Sequence, residues 1–297
     1  MIDFHKPTLD DKEWINRKIE ETGSPSCEYT FGNIFAYCAI MDIRVAECFG
    51  CLVSRCIYDG ELMYCYPMGS GDKKAAVEAI IEDAEAIGKD FIFFGLIKEF
   101  ADELEENFPD IFKITFDRGG SDYIYNSEDL ITLRGKRYQP KRNHISFFKK
   151  NFEWSYEKIS RDNIADCIKM NEKWIDEISD ERKEDLYEEL EIIRRAFDNY
   201  EALDFVGGLI RVDGEVIAYT MGERMNKDTF CVHFEKAFSS YRGAYPMINR
   251  EFCERELSSY RFIDREDDLG SDNLRKAKLS YYPEIIKEEY EAKLIKC

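Results

Sequence analysis

No stretch of the 297 residues is apolar over anything near the roughly 20 positions needed to span a bilayer. The opening, Met1 to Trp14, has neither the basic start nor the apolar centre of a secretory leader. A soluble, cytoplasmic protein is the expectation. Familiar catalytic strings are missing as well. There is no Gly-x-Ser-x-Gly elbow and no cysteine in a recognisable catalytic setting, so a covalent nucleophile is not indicated. Gly69-Ser-Gly-Asp-Lys-Lys74 lacks the spacing of a phosphate-binding Walker loop and reads as a capped helix start. Positive charge is scarce: 42 Lys and Arg against 61 Asp and Glu leave a net charge of −19. A surface this acidic excludes general adhesion to nucleic acid or to anionic lipid, so any such partner must meet a local basic patch.

Apolar residues make up 44% of the chain, with 21 Phe and 18 Tyr, enough for real cores. The length predicts about two domains. Six of the ten cysteines fall within the first 65 residues. Cys48-Phe-Gly-Cys51 has a metal-site gap, but Cys56 and Cys65 lie in alternating, strand-like segments where a thiol acts as a small hydrophobe. Free buried thiols are expected, with no metal site and no disulfide framework.

In the second half, Phe152–Ser160 alternates as a strand, and two helical stretches follow over Asp162–Ile178 and Asp180–Tyr200. Asp213-Gly214 joins Phe205–Val212 to Glu215–Glu223 as a hairpin, since glycine accepts positive φ. Thr229–Lys236 alternates again, which puts Cys231, His233 and Glu235 on one face. A helix from Arg242 to Leu257, a strand at Tyr260–Asp264, a helix over Asn273–Ser280 and a strand at Ile285–Leu294 complete the order. That order, β-α-α-β-β-β-α-β-α-β, is the order of the GNAT acyltransferase fold. The first half repeats the plan. Helices over Leu9–Thr22 and Tyr29–Met41 lead to a hairpin at Asp59-Gly60. Then come a helix over Asp72–Ile87, a strand at Phe91–Ile97, a helix over Glu99–Asn107 and a strand at Ile111–Phe116. The expected architecture is α/β (α+β): two tandem GNAT-like domains over 1–126 and 152–297, each a mixed, largely antiparallel sheet flanked by helices. A basic helix over 127–151 connects them.

Three groups of residues carry chemistry. The run Leu133–Lys150 holds seven Lys and Arg and no carboxylate, so the rest of the chain carries 35 basic against 61 acidic residues. Unopposed charge of this density fits phosphate contact through Lys141 and Arg142, with His144 inside the run; a solvated helix face is the plain alternative. The junction His233–Tyr245 places a helix start after a strand, and helix starts cradle anions through free N–H groups. Arg242 and Gly243 mark that junction. Ser240 and Tyr245 break the usual acyltransferase pyrophosphate pattern, and an ordinary helix start would explain the glycine equally. Glu235 is the candidate general base, with His233 on the same face as substitute, unless Glu235 is merely ion-paired. Arg265 lies where this fold opens its donor cleft, and Arg275 and Lys278 follow on a helix near a crowd of acids; an internal network or a polar ligand would explain that crowding.

Lys141-Arg-Asn-His144, Phe234-Glu-Lys-Ala237 with Arg242-Gly-Ala-Tyr245, and Arg265-Glu-Asp-Asp-Leu-Gly270 with Leu274-Arg-Lys-Ala-Lys278, Ser280-Tyr281 and Pro283 resemble the signature of one bacterial family. It is the family similar to the C-terminal domain of phosphatidylglycerol lysyltransferase. Tyr29-Thr-Phe-Gly-Asn33 and Pro67-Met-Gly69 extend the resemblance over nearly the whole chain, while Asp264 stands where asparagine is expected. The resemblance implies an aminoacyltransferase using aminoacyl-tRNA, or acyl-CoA, as co-substrate, with no tightly bound cofactor. tRNA would be a partner, and the acceptor a lipid, peptide or small amine, a lipid being reached peripherally from the cytoplasm. A non-catalytic RNA- or nucleotide-binding module and a CoA-dependent N-acetyltransferase are the competing readings.

Overall fold

The computed structural model describes residues 2–23, 26–176 and 183–295. Two compact units result, and neither is one continuous piece of chain. One unit combines the chain up to Asp122 with Asp267–Arg275 and the chain from Ile286. The other combines Tyr123–Glu266 with Lys276–Ile285. The sequence-based boundaries at 126 and 152 thus differ from this division: two short C-terminal segments join the first unit, and the 127–151 segment is part of the second.

In the first unit, helices α1 (Lys12–Thr22), α2 (Phe31–Tyr37), α3 (Lys73–Ile87) and α4 (Lys98–Asn107) accompany strands β1 (Arg44–Cys48), β2 (Cys51–Tyr58), β3 (Glu61–Tyr64), β4 (Phe91–Ile97) and β5 (Phe112–Asn126). Helix α3 forms because Asp72 accepts a bond from the Ala75 N–H at its start. It stops at Gly88, whose φ of +74° follows from having no Cβ. Its buried Ala76, Val77, Ile80 and Ala84 make one apolar stripe. The Phe91 ring packs edge to face with the rings of Tyr64, Phe93 and Phe112 in the core. Strand β1 has no counterpart among the expected elements, and β5 runs ten residues past its expected end. The Cys48-x-x-Cys51 string is the corner of the β1–β2 hairpin, with Cys48 and Cys51 paired across it. Cys51, Cys56 and Cys65 are buried, and burial pushes the Cys56 thiol up to about 12.

The second unit begins with α5 (Ser127–Thr132) and α6 (Gln139–Asn151). The single connecting helix expected over 127–151 is interrupted between them, with Leu133 and Gly135 at positive φ and Pro140 in the first turn of α6. Strand β6 (Trp154–Lys158) and helices α7 (Ile164–Asp176) and α8 (Lys183–Asp198) follow; the expected helix ends at 177–182 lie outside the described residues. Next come β7 (Val206–Val212), β8 (Glu215–Arg224), β9 (Thr229–Ala237), α9 (Ala244–Arg255), β10 (Phe262–Asp264) and the later part of α10 (Asp272–Leu279), after which the chain passes into the first unit with β11 (Ile285–Leu294). Strands β6, β7, β8 and β9 are antiparallel neighbours, β10 runs parallel to β9, and the end of β5 lies antiparallel to β10. In the first unit, β11 pairs with β4.

Two irregularities in the second unit decide where chemistry can occur. First, Met221 pairs with Phe234 while Gly222 pairs with Val232, so His233 is an extra residue in β9. This β-bulge shifts the alternation of side chains. Glu235 consequently meets Asn249 of α9, whereas Lys236 meets Glu189 of α8 and the Trp174 ring of α7. Second, β10 pairs with β9 only from Phe262–Thr229 as far as Asp264–Cys231, while β9 remains paired with β8 as far as Ala237. Beyond that point the Arg265 N–H donates to Tyr123 of β5 instead. The parallel strands part, and a gap opens beside residues 232–237.

The bulge demands glycine at 222. A Cβ there would stand 1.9 Å from the Cys231 carbonyl oxygen, a contact with backbone that no rotamer relieves. Gly222→Ala is therefore expected to cost about 2 kcal/mol or more in denaturant unfolding; a variant as stable as the parent would contradict the bulged register of β8 and β9.

Candidate active site

Glu235 and Arg265 meet across the parted strands. Arg265 Nη2 donates to Glu235 Oε1 at 2.8 Å, and both side chains are largely buried. Burial works against the cation, but Glu235, together with Tyr125, Tyr281 and Cys253, outweighs it and raises the Arg265 proton affinity further. The guanidinium also lies over the rings of Tyr281 (5.0 Å) and Tyr125 (5.7 Å). Lys278 fixes the local backbone by donating from Nζ to the Arg265 carbonyl at 2.5 Å.

Polar atoms around this pair are left without partners among the described residues. They are Arg265 Nη1, Asn249 Oδ1 and Thr220 Oγ1, the last belonging to the residue paired with Glu235 on β8. A buried polar atom without a partner costs about 1–3 kcal/mol. Three of them at one ion pair mark a place built to receive hydrogen bonds from something else. Lys141 completes the group from α6, its Nζ lying 3.7 Å from the centre of the Tyr281 ring. Burial, helped by the Arg265 charge and only partly opposed by Glu235, brings the Lys141 ammonium down to about 8.

The other expected site residues go elsewhere. His233, expected on the face of Glu235, is turned away from it by the bulge. Its Nδ1 lies 2.7 Å from Glu266 Oε1 and its Nε2 lies 3.0 Å from Glu223 Oε1. Burial opposes a charged ring, but Cys231 and the two carboxylates outweigh it and hold the imidazole well above its usual range. With both nitrogens engaged, His233 is no substitute base. Arg142 is spent on local structure. It donates to the carbonyls of Leu133 and Gly135 and to Gln139 Oε1, stapling the bend before α6. Nor is the basic run unopposed: Arg134 meets Glu128, Arg137 meets Asp129, and Lys149 meets Glu251. His144 contributes its carbonyl rather than its ring, because a Cβ on Gly243 would lie 2.4 Å from that oxygen. Close approach of α6 and a φ of +97° explain Gly243 without a phosphate. Arg242 is exposed over the Phe147 ring. Arg275 makes two 2.8 Å bonds to the buried Asp268 within the first unit. Sequence reasoning missed Asn249, Thr220 and Tyr125; only register and packing reveal them.

The profile of the phosphatidylglycerol lysyltransferase C-terminal family matches residues 20–293. The chain belongs to that family. It is similar to a conserved protein of unknown function from Bacteroides thetaiotaomicron, with 38% identity and a TM-score of 0.94 over 99% of this chain and 100% of that one. It also resembles L-PGS from Bacillus licheniformis, with 14% identity and a TM-score of 0.66 over 96% and 92% of the two chains. An uncharacterized protein of Mycoplasmoides gallisepticum is 28% identical over 180 residues, 59% of this chain. That match spans 56%, little more than half, of the relative's length. The fold is shared with a tandem GNAT protein and with FemX, as the element order led one to expect. For this family member, GNAT-type acyl or aminoacyl transfer is the class of chemistry the fold suggests.

Lys141 and Arg142 are adjacent, yet removing them should have opposite effects on stability. Arg142→Ala is expected to cost about 1–3 kcal/mol, since the carbonyls it staples lose a charged donor. Lys141→Met should be neutral or stabilising by up to about 1 kcal/mol, because it removes a half-buried cation beside another. Equal losses in thermal or denaturant unfolding would contradict the assignment.

Proposed function

We propose that the second unit transfers an aminoacyl group from aminoacyl-tRNA to a lipid, peptide or small-molecule acceptor. Transfer occurs by direct attack within a ternary complex. The observation that carries this reading is the buried, unpartnered Nη1 of Arg265 at the gap between β9 and β10, with Lys141 beside it. Attack by an acceptor amine or hydroxyl on an ester carbonyl forms the new C–N or C–O bond and places negative charge on the carbonyl oxygen. Preorganised donors that meet this charge lower the barrier most. Arg265 Nη1 and the Lys141 ammonium are those donors. Glu235 Oε1 is held by Arg265, while Oε2, which accepts only a long bond from Asn249 Nδ2 at 3.4 Å, takes the acceptor's proton and returns it to the departing ribose oxygen. No helix among the described residues is long and apolar enough to cross a membrane.

The closed Glu235–Arg265 pair also favours a second reading, a module that binds RNA or a nucleotide and has no chemistry. Purified protein offered labelled aminoacyl-tRNA and labelled acyl-CoA in parallel, with a cell extract as acceptor source, separates the two. Label should pass from the aminoacyl-tRNA to an acceptor, and Glu235→Gln should stop turnover while binding persists. Transfer from acyl-CoA alone would overturn the choice of donor, and binding without any transfer by the parent protein would favour the module.

Lys141 also sets an expected pH dependence. It is charged below about 8 and neutral above, so donor affinity should fall as pH rises from about 7 to 9. Lys141→Arg, which keeps its charge there, should flatten that fall. A pH-independent affinity in the parent protein would remove Lys141 from the donor site.

A further inference from the structure

The opposite face of the same parted strands holds a second group of side chains that the proposed transfer does not use. Cys231 and His233 come from β9, Glu223 from β8, and Glu266 from the backbone just past β10. Cys231 Sγ lies 3.6 Å from His233 Nδ1 and 3.9 Å from Glu266 Oε1, and Glu266 Oε1 lies 2.7 Å from the same nitrogen. Sulfur, imidazole and carboxylate donors are thus within 4.8 Å of one another, with Cys231 and His233 buried. From this geometry we infer that Cys231, His233 and Glu266 bind one divalent transition-metal ion of the zinc type.

Three features support the assignment. The first is spacing. Zinc bonds of about 2.3 Å to sulfur and about 2.0 Å to nitrogen, at a tetrahedral angle, separate those two ligands by about 3.5 Å. The observed sulfur-to-nitrogen distance is 3.6 Å. The carboxylate lies closer than a shared ion allows and would retreat by about half an ångström as the ion replaces the proton it shares with the ring. The second is the partner of the far ring nitrogen. Metal-bound histidines give their other N–H to a carboxylate, which fixes the ring; in this cluster Glu223 lies 3.0 Å from Nε2. The third is the backbone of Glu266, held at a φ of +57° although it is not glycine. Its N–H donates to Asp264 Oδ1 and its carbonyl accepts from Tyr123, and these bonds fix the residue in a conformation that side chains rarely adopt. The bulge that turns His233 away from Glu235 is also what brings it to Glu266.

Charge balances when the ion enters. Two protons leave to solvent, one from Nδ1 and one from the Cys231 thiol. The thiolate and the Glu266 carboxylate then neutralise the dication, while Glu223 keeps the Nε2 proton. Glu266 is the most exposed of the three ligands, so the fourth position belongs to water on its side. Bound there, the ion would tie β9 to the chain leaving β10 at the point where their pairing ends.

Cobalt(II) is the direct probe, added to the full chain after treatment with a chelator. One equivalent should bind and show both the thiolate charge-transfer band and the visible bands of tetrahedral cobalt, and zinc should displace it. Cys231→Ser should abolish the charge-transfer band, whereas Cys48→Ser should leave it intact. Glu223→Gln keeps the three ligands and should weaken binding about 10- to 100-fold. Zinc should raise the thermal midpoint of the parent protein but not that of His233→Gln, a comparison valid even if the variant is less stable than the parent. A missing thiolate band in the parent protein, or a band that survives Cys231→Ser, would overturn the site. Because it lies on the face away from Glu235, loss of the metal site would leave the proposed transfer to stand or fall on its own assay.

Discussion

The second unit depends on one ion pair, Arg265 to Glu235, spanning two parallel strands that have stopped pairing. A parallel sheet that opens loses backbone hydrogen bonds along the opening, and those groups need other partners. On one side β9 stays paired with β8 as far as Ala237, apart from the bulge at His233, and on the other the Arg265 N–H donates to the Tyr123 carbonyl and the Glu266 N–H to Asp264 Oδ1. The opening is then held across by side-chain charge. Buried charge is expensive unless paired, and this pair leaves one guanidinium nitrogen over. The same interaction therefore closes the gap structurally and leaves it chemically open.

A single extra residue in β9 divides the gap into two environments. Without the bulge, Cys231, His233 and Glu235 would line one face and the two acid–base groups would compete for one substrate. With it, Glu235 works among α9, α6 and the tyrosine rings, while His233 is enclosed by carboxylates and a thiol. Gly222 makes this possible by lacking the atom that would strike the Cys231 carbonyl. A backbone detail far smaller than any motif thus decides which residues act together.

Much of the architecture was legible in the sequence. Asp59-Gly60 and Asp213-Gly214 fix their hairpins because glycine alone takes the second turn position cheaply, and the repeated element order follows from hydrophobic period. Lys141, Glu235 and Arg265 could be named from charge and fold position, and they do come together. What could not be read was register. His233 looked equivalent to Glu235 because alternation was assumed to hold through the strand. The basic run looked unopposed because Glu128 and Asp129 stand just before it and Glu251 lies about a hundred residues later, and folding brings all three alongside. Arg142 looked like its neighbour Lys141 until the carbonyls of Leu133 and Gly135 claimed it. Strand β11 alternates like any other strand, and nothing in its residues says which unit it will join.

A double-mutant cycle on Glu235→Gln and Arg265→Gln, followed by denaturant unfolding, tests the account most directly. If the pair spans the parted strands, each single variant strands a buried partner, and the coupling energy should be about 2 kcal/mol or more. Additive losses within about 0.5 kcal/mol would show that the two side chains do not hold the gap, and the site built on them would lose its foundation.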